Sequence, residues 1–222
     1  MRSKRARRIS ITVRPYQGVR VTVPARGSMA EAKRFVAQKQ AWIERAVAKV
    51  RAREQRVVYG PETPAPTRSH RLAFVQSNVD APSVRVSAGT IRIQVPASLR
   101  IESEPVQSVI RDGIVRALRI EAKAYLPDRV AQLARRHGFS FKSVAIKNAR
   151  TRWGSCSAQN RINLNLHLMR LPDELVDYVI LHELVHTVHK HHQPAFWDAL
   201  EAVCPGSKQL DRRLKEFELT SG

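Results

Sequence analysis

The feature that most constrains this chain is His182-Glu183-Leu184-Val185-His186, followed shortly by His192. Residues four apart on a helix share a face. His182 and His186 can therefore aim two imidazoles at one metal ion, with Glu183 beside the ion's open position. That is the arrangement used in zinc-dependent peptide hydrolysis. Chance produces the bare motif often enough that the surrounding residues must carry the reading.

Those residues predict a helix. Pro172, Asp173 and Glu174 suit a first turn, proline because its missing N–H is not needed there and the acids because they face the positive end of the dipole. Leu175, Val176, Val179, Ile180, Leu184 and Val188 follow at helical spacing without a breaker. Tyr178, His182, His186 and His189 fall on one stripe of that helix.

A catalytic zinc takes three protein ligands and keeps one position open for water. His189, His191, His192 and the carboxylate of Glu201 are the candidates for the third ligand. Three ligands along one straight helix would not surround an ion. Pro194 disfavours helix at Gln193, so the segment Lys190 to Pro194 can turn back and bring His192 to another side. His192 is preferred, with His191, His189 and Glu201 as alternatives.

Further motifs stand in register with this one. They are Arg152-Trp153-Gly154-Ser155-Cys156-Ser157, Ile162-Asn163-Leu164-Asn165, Asp177 to His186, and His192 with Phe196-Trp197. Together they resemble the YgjP-like metallopeptidases, zincins related to the SprT-like and WLM proteases. The resemblance is tightest over residues 145–205 and extends more loosely to the N-terminus, through Val21 to Pro24 and Ala41-Trp42-Ile43. It implies a Zn²⁺ cofactor, a polypeptide substrate and His192, four residues before Phe196, as the completing ligand.

Zinc would lower the pKa of its water to about 7. Glu183 would take the water's proton and pass it to the leaving amine. The oxyanion needs a second donor, for which Arg152, Asn165 and Tyr178 are candidates. The Arg152 to Cys156 segment is expected at a strand edge or turn beside the helix, Gly154 permitting close backbone approach. An extended peptide could add to such an edge. Trp153, Gly154 and Ser155 are thus candidate substrate-binding or supporting residues. Trp153 also suits packing under the helix, and Phe196-Trp197 suits core packing that places the His192 loop. Cys156 and Cys204 are read as unpaired thiols, which fits a reducing, cytoplasmic setting.

The net charge is +20 in 222 residues, and it is uneven. Residues 1–58 hold sixteen Lys or Arg against Glu31, Glu44 and Glu54, whereas residues 171–204 hold six acids against Lys190 alone. An arginine-rich solvated surface accounts for this as well as an anionic partner does, and no nucleic-acid motif accompanies it. DNA or RNA is the candidate partner. SprT-like relatives act on proteins attached to DNA, which gives the charge one interpretation. The basic N-terminus lacks the apolar run of a secretory signal, and no apolar run reaches membrane-spanning length.

The expected architecture is α+β, a zincin-type core with the HExxH helix beside a small sheet and a strand-rich N-terminal part. Residues 1–58 read as a hairpin around Pro15 to Gly18, then a helix from a Ser28/Glu31 capping box to about Arg53. Residues 59–102 read as a proline-rich turn and short strands at Leu72 to Val75, Val84 to Val86 and Ile91 to Val95. Residues 103–222 form the catalytic part. It opens with a long helix after Ser103, broken or kinked at Pro127 and ended near Gly138. Strands at Lys142 to Lys147 and Arg161 to Leu168 precede the metal helix, and a short helix follows Ser207. The competing function class is a nucleic-acid-binding or scaffolding protein whose zinc site is structural or idle. An intact Glu183 argues for the enzyme, because a structural site needs no base.

Overall fold

One strand plan recurs three times along the chain. In each case the first strand runs parallel to the third, the second runs antiparallel to it, and the third lies in the middle. The computed structural model describes residues 2–3, 6, 8–14, 18–25, 27–53, 57–64 and 67–217. The chain divides into two units, Met1–Val57 and Val58–Gly222.

The first unit contains β1 (Arg2–Ser3), β2 (Ser10–Arg14) and β3 (Gly18–Pro24), then α1 (Met29–Gln38) and α2 (Gln40–Arg53). The β2–β3 hairpin pairs Ile11 with Val21 and Val13 with Val19. Pro15 to Gln17 of its expected turn lie outside the described residues, as do several positions of the basic N-terminal run. Ser28 caps α1, its Oγ accepting from the Glu31 amide at 3.4 Å. The single helix expected to Arg53 is interrupted at Lys39. The Lys39 amide is shared between the Phe35 and Val36 carbonyls, both at 3.1 Å, a tightening of the last turn.

The second unit carries two of the three sheets. The first comprises β4 (Arg71–Ser77), β5 (Ser83–Ser87) and β6 (Thr90–Pro96), and the second comprises β7 (Ser143–Lys147), β8 (Gly154–Cys156) and β9 (Arg161–Asn165). Between them runs α3 (Glu104–His137), started by a proline in its first turn and ended by Gly138 in the left-handed conformation. Ile91, Ile93 and Val95 alternate inward from β6 onto Val106, Ile110 and Ile114 of α3. The helix approaches so closely that a methyl group at Gly113 would lie 2.6 Å from Val84 Cγ2 and 2.8 Å from Ile91 Cγ2.

Of the break or kink expected at Pro127, the break does not occur: α3 continues as one helix through it. Leu126, Val130, Leu133 and Ala134 are all buried and extend the apolar stripe past the proline. Packing of that stripe offsets the lost backbone bond. β9 stops at Asn165, short of the expected Leu168, because the Asn165 side chain accepts from the His167 amide and starts a 3₁₀ turn over Leu166–Arg170. The remaining helices are α4 (Asp173–Val185), α5 (Pro194–Val203) and α6 (Ser207–Leu214). Among the described residues no helix is long and apolar enough to cross a membrane.

Candidate metal centre

α4 is buried over most of its circumference, and Leu175, Val176, Val179, Ile180, Leu184 and Val185 lie in the core. Its N-terminal acids are matched by bases from elsewhere in this unit. Arg68 meets Asp173 at 2.6 Å, Arg213 meets Glu174 at 2.6 Å, and Arg129 grips Asp177 through Nε at 2.7 Å and through its second nitrogen. The acidic character of this segment in the sequence is thus neutralised locally. These pairs and the core fix the rotation of the helix, and therefore where His182 and Glu183 point.

The helix ends at Val185, with His186 as its C-cap. The Thr187 hydroxyl donates back to the Leu184 carbonyl at 2.6 Å, and the amides of Val188 and His189 both turn in to Val185. His189 therefore leaves the stripe predicted for it. Its backbone carbonyl accepts from His186 Nδ1 at 2.9 Å, which fixes the ring and leaves Nε2 free as a ligand. Gln193 is extended (ψ 169°) ahead of Pro194, and α5 begins there.

That turn brings His192 over the helix. His192 Nε2 lies 3.0 Å from His182 Nε2 and 3.1 Å from His186 Nε2. The three ligand atoms all fall within 4.8 Å of one another. Tetrahedral ligands at zinc–nitrogen bonding distance would stand about 3.3 Å apart. Phe196, fully buried, forms the floor, its ring centre 4.9, 4.5 and 4.6 Å from those of His182, His186 and His192. Trp197 stacks on His192 at 5.6 Å. Burial pushes the His182 imidazole down to about 4 and lowers that of His186. Neutral rings present lone pairs, as a metal requires. The residues present fit a divalent metal.

Glu183 is the chemical outlier. It is 5% exposed, and its Oε2 has no hydrogen-bond partner among the described residues. Burial pushes its carboxyl up to about 8, with the Arg152 charge pulling the other way. A buried polar atom left unsatisfied in a native fold calls for a role. Glu183 and His182 face a cavity of about 160 Å³ with Trp153, Gly154, Tyr178, Val179, Asp211 and Leu214.

The other sequence candidates sort by their bonds. Asn165 is buried, donates to the carbonyls of Ala149 (2.7 Å) and Arg152 (2.9 Å), and has no donor left for an oxyanion. It shapes the loop that leads into β8. The Tyr178 hydroxyl donates to Asp211 Oδ1 at 3.3 Å, and Ser155 Oγ accepts from Asn163 at 3.3 Å. Trp153 is half-buried against the core, and Arg152 is exposed. Glu201 caps α6, accepting from the amides of Gly206 (2.7 Å) and Ser207 (3.0 Å). His191 is exposed and outside the cluster. Cys156 and Cys204 are free thiols whose burial raises their pKa. Asp211 and Leu214 were not signalled by the sequence, since nothing in their local pattern ties α6 to a motif so far upstream.

A profile described as the YgjP-like metallopeptidase domain matches residues 7–217. Among solved structures, the metallopeptidase zymogen abylysin of Pyrococcus abyssi is similar at 24% identity, covering 40% of this chain and 90% of that one, with a TM-score of 0.37. The metallopeptidase zymogen jannalysin of Methanocaldococcus jannaschii is similar at 22% identity, covering 40% and 92%, with a TM-score of 0.36. No curated protein matches the chain.

Proposed function

The chain belongs to the YgjP-like metallopeptidase family, and from that membership we propose a zinc endopeptidase in which His182, His186 and His192 hold the ion and Glu183 is the general base. One observation carries the reading: three imidazole Nε2 atoms converge beside a buried carboxylate, one of whose oxygens has no partner among the described residues. An all-imidazole donor set suits zinc, which when bound would polarise a water and the scissile carbonyl. Glu183 takes a proton from the attacking water and returns it to the leaving amine nitrogen. With the Asn165 amide and the Tyr178 hydroxyl bonded elsewhere, Arg152 is the oxyanion donor we favour.

β8 supports binding of the substrate as an added strand. Trp153 accepts from the Asn165 amide, and the Ser157 amide donates to Arg161, so alternate residues of this segment spend their backbone groups on β9. Antiparallel pairing then leaves the N–H and C=O of Gly154 and Cys156 on the open edge. Extended or poorly folded polypeptide is the substrate class that such an edge accepts. The test is zinc content and peptide hydrolysis of wild type against Glu183→Ala. Retained zinc with lost hydrolysis supports the enzyme, whereas unchanged hydrolysis removes Glu183 from the mechanism and favours an idle site on a scaffold.

A second reading rests on charge. The excess of Lys and Arg in residues 1–58 supports DNA or RNA as a partner that localises the peptidase. Binding to single- and double-stranded DNA should weaken steeply with salt. Failure to bind at low salt removes this partner.

A further inference from the structure

Gly154 is not demanded by its backbone. Among the described residues the glycines with positive φ are Gly89, Gly138 and Gly206. Gly154 sits in ordinary strand conformation opposite Leu164. A glycine there weakens the strand and gives up a side chain's worth of packing, so something else must account for it.

Space accounts for it. A methyl group built at position 154 would lie 2.6 Å from Glu183 Oε1, 2.8 Å from Cγ and 2.9 Å from Cδ. Every one of these is well inside the carbon contact distance of about 3.5–4.0 Å. The Glu183 side chain lies along the bare Cα of Gly154, and α4 is locked by its core residues and ion pairs. A Cβ at 154 would therefore move the carboxylate rather than the helix.

We propose that Gly154 is a positioning residue, its missing side chain forming the seat that holds the Glu183 carboxylate beside the three-histidine cluster. This rests on Glu183 acting as the base. The clash falls on Glu183 from Cγ outward, atoms that turn about χ1 without moving the α4 backbone, so an alanine at 154 leaves the fold and the histidines in place. It shifts the carboxylate, and a misplacement of about 1 Å can cost about a hundredfold in rate.

The experiment places Gly154→Ala and Gly154→Val in wild type and in Glu183→Ala. Metal content, kcat and KM on a disordered fluorescein-labelled polypeptide, and thermal midpoint are read for each. In wild type, kcat should fall about a hundredfold for alanine and further for valine, with metal at parity and KM within about twofold. In the Glu183→Ala background, where the clashing atoms are gone, Gly154→Ala should change residual kcat by less than about twofold and lose its thermal cost. A Gly154→Ala enzyme with kcat within about twofold of wild type overturns the proposal. Equal kcat losses, or equal thermal costs, in both backgrounds also overturn it, since the glycine would then serve the strand or the substrate. Full activity in Glu183→Ala alone would instead mark failure of the general-base reading, while the thermal cycle still reports whether position 154 meets the Glu183 side chain.

Discussion

Glu121 and Glu183 are almost equally buried, at 7% and 5% exposed, yet the protein treats them in opposite ways. Glu121, on α3, meets the chain just before β4. It accepts from the amides of Arg68 (3.1 Å) and Ser69 (2.9 Å), the Ser69 hydroxyl (2.9 Å) and His70 Nδ1 (2.7 Å). Burial alone would raise its pKa, but those bonds outweigh burial and hold it below the usual carboxylate range. Glu183, on α4 against β8, has an oxygen with no partner among the described residues, and burial pushes it up to about 8. The two sheets share a strand plan, so topology does not make the difference. The satisfied carboxylate pins the segment ahead of β4 to a helix, and the unsatisfied one suits the proton-exchanging role proposed for it. The two glycine contacts repeat the contrast. The space at Gly113 is filled by methyl groups of Val84 and Ile91, whereas that at Gly154 is filled by Glu183.

The contrast is broken most severely at the histidines. His186→Ala or His192→Ala should remove metal binding and with it all measurable hydrolysis, checked by metal analysis of the purified variants. Next comes exchange of the two carboxylates' roles. Glu183→Ala should lower kcat by about 10²–10⁴ while leaving the thermal midpoint unchanged or higher, because an unsatisfied buried group is gone. Glu121→Ala should do the reverse, costing about 3 kcal/mol in denaturant unfolding while the folded fraction keeps wild-type kcat. If both variants lost stability alike, the distinction between them would collapse.

Smaller effects sharpen the picture. Gly113→Ala should destabilise by about 1–2 kcal/mol through overpacking, less a gain in helix propensity, with kcat unaltered. The pH dependence of stability follows from groups lowered in the fold. Burial pushes His167 from 6.5 to about 4, with the Arg170 charge adding to it. The folded state therefore resists protonation there, and the stability it contributes is full above about pH 6.5 and is lost as pH falls towards 4. Glu121 acts in the same direction lower down, its contribution lost as pH falls through its lowered value. Wild type should thus lose more thermal stability than His167→Gln as pH falls from 6.5 to 4.

Legibility in the sequence followed the range of the interactions. α4 could be read because its start and its apolar spacing are both local. The turn that carries His192 could be read because Pro194 restricts its predecessor. What escaped depends on distant partners. Continuation of α3 through Pro127 depends on buried contacts with residues far along the chain, and the early end of β9 depends on one side-chain bond from Asn165. Glu201 looked like a ligand until α6 supplied amides for it to cap, and His189 acts through its carbonyl, an atom common to every residue. The thrice-used strand plan left no repeat in the residues, since pairing order is a backbone property that sequences as different as SVRVS and GSC can satisfy.

Crystals grown with zinc and measured on both sides of its absorption edge would locate the ion and its ligands. One anomalous peak is expected about 2.0–2.1 Å from the Nε2 atoms of His182, His186 and His192, with the remaining position open towards Glu183. A peak elsewhere, or one closed by a fourth protein ligand such as His189, would contradict it.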